Sequence, residues 1–168
     1  MAVQTSVALD LTSGIVGELA FDTPKYVITA TLNSGAGAAN NIVGRAFCYD
    51  STANELVSAG GDAGNFAGIL IKPKQYPLRG TAADTLATSL LLPDGQVVEL
   101  LQEGEIYVSL ASDGGDIGDP IFYTDATGAL DHGTADVGET QIPNCHIVRH
   151  VPSPTAAGVY LAVIRLTA

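Results

Sequence analysis

Tryptophan is absent from these 168 residues, methionine occurs once and cysteine twice. Aromatic residues make up 6% and charged residues 15%, where soluble domains usually carry about 25% charge. Basic residues are the scarcest class of charge. Lys and Arg number 7 against 18 Asp and Glu, a formal charge of -11. A surface that neutralises phosphates needs the opposite sign, so this balance speaks against nucleic acid as a partner and against an anionic membrane surface. No run approaches the roughly 20 apolar residues of a bilayer-spanning helix. The longest apolar stretches, Phe66–Ile71 and Val159–Ile164, have the length of strands. Met1–Ser6 holds no basic residue and no long apolar run, so no secretory signal is expected. Without one, Cys48 and Cys145 are expected as reduced, buried small hydrophobes.

Apolar residues make up 46% of the chain, enough for a sizeable core, and the length suits one domain. Their spacing alternates. Tyr26, Ile28, Ala30 and Leu32 share one face of an expected strand, with Val27, Thr29 and Thr31 on the other. Arg45–Tyr49, Gln96–Leu101, Ile106–Leu110, Ile121–Thr124, Ile142–Val151 and Val159–Leu166 are further expected strands. Between such runs lie Asn33-Ser34-Gly35-Ala36-Gly37, Gly60-Gly61-Asp62, Pro93-Asp94-Gly95, Ser112-Asp113-Gly114-Gly115 and Ala126-Thr127-Gly128. These are turn residues: glycine tolerates positive φ, and Asn or Asp bonds its own backbone. The pattern predicts an all-β fold, either an antiparallel jelly-roll-like β-sandwich or a β-barrel, with short loops. At most one short helix is expected, and Ala82–Leu91 is its candidate.

Motifs that carry chemistry are scarce. There is no nucleophile elbow and no phosphate-binding loop. Gly35-Ala36-Gly37 lacks the third glycine of a dinucleotide site. Asp113, Asp116 and Asp119 place three carboxylates in one loop, which a hard cation could use, but no bidentate Glu closes the set and a solvated turn is expected. His146 and His150 would share a strand face about 13 Å apart, too far for one ion. His132, in a glycine-containing turn, is expected to be exposed. No cofactor, metal or catalytic residue is assigned, and the chain is read as non-enzymatic.

A chain of this size exposes roughly 8,000 Å², and few ionisable residues are available to cover it. Much of the surface must be small and weakly polar, which favours association. Two segments stand apart. Met1–Leu11 alternates Val7, Leu9 and Leu11 with Ala8 and Asp10, as an edge strand or arm would. Lys72–Arg79 gathers Lys72, Lys74 and Arg79 in a proline-broken stretch, expected to leave the sheet as an extended arm or loop.

The order of motifs carries a family resemblance. Gly14-Ile15-Val16-Gly17-Glu18-Leu19-Ala20-Phe21-Asp22 precedes the Tyr26–Leu32 strand. Gly44-Arg45-Ala46-Phe47, Phe66-Ala67-Gly68-Ile69-Leu70 and Gly104-Glu105-Ile106-Tyr107-Val108 follow. Then come Gly118-Asp119-Pro120-Ile121-Phe122-Tyr123 with Thr127-Gly128-Ala129-Leu130, and the terminal strand. This resembles the structural cement, or head decoration, proteins of tailed bacteriophages. Lys72–Arg79 and Thr81–Leu92 have no counterpart in that pattern. The resemblance implies a small β-rich protein on the virion exterior, bound to the outside of the head. Its partners would be the major capsid protein, whose neighbouring subunits it clamps, and further copies of itself, as a homodimer or homotrimer. On this reading residues 1–11 form an arm or edge strand and 12–168 a single domain. The expected contact residues are Val3, Val7 and Leu9 on the arm and Lys72, Lys74, Tyr76 and Arg79. The competing readings are another virion β-module of tail, neck or fibre, and a bacterial β-scaffold binding domain.

Overall fold

The computed structural model describes residues 14–21, 24–51, 53, 55–61, 65–73, 91–113, 115–150 and 160–167. Of these, 54% lie in β-ladders and 5% are helical, with no helix of seven residues. Nine strands follow in order: β1 (Tyr26–Leu32), β2 (Ala46–Tyr49), β3 (Leu56–Ala59), β4 (Phe66–Leu70), β5 (Val97–Leu110), β6 (Pro120–Thr124), β7 (Leu130–His132), β8 (Glu139–His150) and β9 (Tyr160–Leu166). The expected Asn33–Gly37 turn is tightened into a 3-10 helix at Gly35–Asn40. The Ala82–Leu91 helix candidate lies outside the described residues except for Leu91, which bridges to Ile42.

The pairings close on themselves twice. β1, β3, β2, β4 and β5 form a five-strand circuit, parallel between β1 and β3 and antiparallel elsewhere. β5, β7, β6, β8 and β9 form a second, completed by the antiparallel β5–β9 ladder and one parallel bridge, Leu110 to Leu130. Of the two expected arrangements, sandwich and barrel, the barrel is found. Closure pairs strand edges that a sandwich would leave open.

β5 belongs to both circuits. Val97–Glu103 pair with β1, and Gly104–Leu110 pair with β9. The two separate strands expected at Gln96–Leu101 and Ile106–Leu110 are therefore one. Gly104, at φ +128°, carries the chain from one ladder to the other, so the glycine redirects the strand without ending it.

Each circuit has its own core. Ala30, Leu32, Phe47, Val57, Leu70 and Leu100 fill the first. Ile106, Val108, Ile121, Tyr123, Ile147 and Ile164 fill the second. β2 and β4 lie between them. Phe47, Ala67 and Leu70 face the first interior, while Ala46, Cys48 and Ile69 join the second. Burial on both sides requires apolar residues at successive positions, hence the unbroken run at Phe66–Leu70. Ala67 is the extra residue of a bulge, where Phe47 pairs with Gly68 and Cys48 with Phe66.

Three places depart from what the spacing predicts. Tyr26 is 58% exposed although Ala30 and Leu32 are buried, because the register shifts between Tyr26 and Val27. In β8, Asn144 takes φ 50°, and Cys145 is buried while His146 is partly exposed. His132 is not in an open turn. It ends β7, with its side chain 11% exposed, against the backbone of Gly115.

Candidate interaction face

Residues 14–21 form a strap across the junction of the two circuits. Gly17 N–H donates to Tyr107 O at 2.7 Å, Tyr107 N–H to Glu18 O at 2.9 Å and Ala20 N–H to Glu105 O at 2.9 Å. On its other side Gly17 O accepts from Lys72 N–H at 2.8 Å. The strap thus ties β5 to the residues that follow β4. Gly17 and Gly44 allow the close approach. Both take positive φ, and a Cβ on Gly17 would overlap Val43 Cγ1, as one on Gly44 would overlap Val16 Cγ1. Tyr107 and Val163 are buried beneath, with Ala20, Val148 and Leu161 packed on them.

Lys72 is the one expected contact residue that the structure describes. Its Nζ lies 3.3 Å from Glu18 Oε1, so part of its charge is already paired. Val3, Val7, Leu9, Lys74, Tyr76 and Arg79 lie outside the described residues. The chain enters both expected contact segments from one neighbourhood, since Gly14 leads the strap and Pro73 follows the residue bonded to it. Leu91, where the description resumes, bridges Ile42, beside the Val43–Gly44 contact with the strap. Sequence reasoning placed the two segments separately and did not bring them together.

It also missed the exposed apolar side chains of this region. Ile15, Phe21, Tyr26 and Leu91 are 52%, 47%, 58% and 52% exposed. Nothing in their spacing separates them from core residues. The cations here are engaged. Arg165 pairs through its guanidinium with the buried Glu105, Nε to Oε1 2.8 Å. Arg45 Nη1 donates to Asn40 Oδ1 at 2.9 Å and to Thr127 O at 3.0 Å, and burial lowers its pKa.

Elsewhere the polar clusters fasten loops. Ser112, His132 and Asp119 form a Ser–His–Asp grouping. Ser112 Oγ is 3.4 Å from His132 Nε2, and His132 Nδ1 is 3.5 Å from Asp119 Oδ2. The Ser112 hydroxyl, however, donates to Asp131 Oδ1. That contact ties the loop to β7. Asp119 Oδ2 accepts from Asp116 N–H at 2.9 Å, and Asp113 is also engaged. Among the described residues no three His, Cys, Asp or Glu side chains converge on a metal position, and no helix is long and apolar enough to cross a membrane. Cys48 and Cys145 are both buried and not disulfide-bonded, and Cys48 Sγ lies 3.3 Å from Tyr123 Oη. Burial pushes the Cys145 thiol up, and burial followed by the contact with Cys48 pushes the Tyr123 phenol up.

Comparison with known proteins finds a family and a shared fold. A family profile described as structural cement protein (E217 gp24/Pam3 gp6) matches residues 3–167. A chain from the structure titled "The capsid of Myoviridae Phage XM1" superimposes with a TM-score of 0.66 at 17% identity, covering 99% of this chain and 98% of that one. At that identity the likeness is one of fold. No curated protein matches the chain.

Proposed function

The chain belongs to the structural cement protein family, and from that premise we propose that it binds the outer surface of a phage head and clamps neighbouring major capsid protein subunits. Its role is structural and tied to the capsid. The observation that carries this reading is the reach of the family match, from residue 3 to residue 167. A match of that extent spans all nine strands and the strap.

The physical chemistry supports the reading. A shell under pressure from packaged DNA is stabilised by a ligand that binds the closed lattice better than any loosened state, by mass action. Such a ligand needs a rigid body and contacts that span subunits. Two closed circuits sharing β5 supply the rigid body. Residues 1–11, with Val3, Val7 and Leu9, and the Lys72–Arg79 segment, with Lys74 and Tyr76, supply the reaching contacts, and residues 12–168 form the domain that carries them. The formal charge of -11 suits a position outside the shell, away from DNA. The reading requires no catalytic step.

Heads assembled without this chain provide the test. Purified protein added to them should pellet with the heads to a saturating occupancy, and the decorated heads should release DNA at a higher temperature than bare ones. Failure to saturate, or an unchanged release temperature at full occupancy, would remove the clamp.

A further inference from the structure

We propose that the two circuits are unequal: β6, β7, β8 and β9 open from the rest as a unit while the first circuit stays folded, and this opening bares the thiols of Cys48 and Cys145. Core membership carries the asymmetry. Among the described residues, the first core has no member beyond Leu100. Its five ladders use no strand after β5. The second core is not self-contained. Ala46 and Cys48 of β2 and Ile69 of β4 belong to it, and Phe66 packs against it. β2 and β4 thus form a floor on which the last four strands are laid. Lifting those strands leaves the first core and its ladders whole. Unfolding the first circuit would instead strip the second core of one side, so the reverse opening has no stable counterpart.

The second circuit is also lightly fastened. Its closure from β7 to β5 rests on the bridge of Leu110 to Leu130. Among the described residues, its hydrogen bonds to β2 and to the residues around β2 and β3 gather at one latch, the turn between β6 and β7. Ala46 N–H donates to Gly128 O at 2.9 Å, Gly61 N–H to Asp125 O at 2.8 Å and Arg45 Nη1 to Thr127 O at 3.0 Å. Glycines permit the approach: a Cβ on Gly128 would overlap Ala46 O, and one on Gly60 would overlap Asp125 O. Behind the latch Tyr123 stacks on Phe66 with ring centroids 6.1 Å apart, and its hydroxyl meets Cys48 Sγ at 3.3 Å. The two thiols report the opening because they face each other's circuit. Cys48 lies on the floor and Cys145 on β8, both buried in the second core. Contiguous units of this kind open at lower free energy than the whole chain unfolds. The division is a property of the chain alone and stands apart from the capsid reading.

Thiol labelling and amide hydrogen exchange on the full native chain provide the test. With an aromatic disulfide reagent, Cys48 and Cys145 should be slowed by one common factor relative to the unfolded chain. The amides of Leu32 and Leu70, bonded to Gln96 O and Arg45 O, should report an opening at least about ten-fold rarer and more steeply dependent on urea. Val57→Ala cuts into the first core. It should speed exchange at Leu32 and Leu70 and leave both thiol rates unchanged. Arg45→Gln loosens the latch and should raise both thiol rates by the same factor, about five-fold. Four results would each overturn the proposal. They are equal opening at the Ile147 and Leu32 amides, a Cys48 thiol still protected after Cys145 has reacted, thiol rates that rise with Val57→Ala as far as exchange at Leu32 does, and thiol rates unmoved by Arg45→Gln. The wild-type comparison needs no variant and decides the matter if Val57→Ala does not fold.

Discussion

Asp94 organises its surroundings through its charge. Its Oδ1 accepts from Ser34 N–H at 3.0 Å and Asn41 Nδ2 at 2.8 Å, and its Oδ2 from Gly35 N–H at 2.7 Å. One turn side chain thereby holds the start of the 3-10 helix and the buried Asn41. The Ser34 N–H first, then the Asn41 amide and the Gly35 N–H, hold the Asp94 carboxyl below the usual carboxylate range, against a partial desolvation that raises it. A carboxyl whose pKa is lower folded than unfolded adds stability above about pH 4, and that stability is lost as pH falls through the lowered value. Asp94→Asn should cost about 1 kcal/mol at pH 7, a figure reduced for solvent screening. Urea unfolding should show the difference from wild type closing as pH falls below about 4. Gly17 makes a steric demand instead. Gly17→Ala puts a methyl where Val43 Cγ1 lies, on a backbone at φ +82°. It should cost about 2 kcal/mol and lower the melting temperature by roughly 4–8 °C, read by calorimetry.

At the scale of elements, what the sequence reveals depends on whether one face or both faces are buried. β1 was legible because one face is more buried than the other, so apolar residues recur at every second position. β4 appeared as an apolar run of strand length with no face to assign, since both of its sides are covered. β7, at Leu130–His132, is too short to show any period. The break at Gly104 was legible as a glycine and misleading as an ending, because a single residue with positive φ can serve a turn or a handover between ladders. The candidate face was legible only in part. The alternation of the first eleven residues and the cations after Ile71 are visible in the sequence. The strap that joins them depends on hydrogen bonds from Gly17 to partners 90 and 55 positions away, which no local spacing encodes. The element that most directly tests docking is the segment entered through Lys72. Reversing the charge at Lys72 and Lys74 together should weaken binding to heads, with the deficit shrinking as salt is raised from 0.05 to about 0.3 M. Part of the effect at Lys72 is internal, because it also breaks the contact with Glu18. Glu18→Gln alone is the control and should leave docking near wild type. A salt-independent deficit in the double reversal would assign the segment a purely structural role.

Among the described residues the molecule is two circuits that share β5 and are tied further by the strap and by the bonds Ala46 N–H to Gly128 O and Gly61 N–H to Asp125 O. Removing residues 1–11 leaves every described hydrogen bond in place, including those of the strap. The truncated chain should therefore keep its melting temperature within a few degrees and lose much of its affinity for heads, since contacts that reach across subunits multiply through effective concentration. Wild-type occupancy after truncation would move the docking contacts onto the β-domain itself. The direct measurement of the central claim is electron cryomicroscopy of mature particles made with and without this chain. The account predicts density of this β-fold at repeated positions on the outer face of the head, bridging adjacent capsid subunits and missing from particles that lack the chain. Identical head maps, or density confined to the tail or the interior, would contradict it.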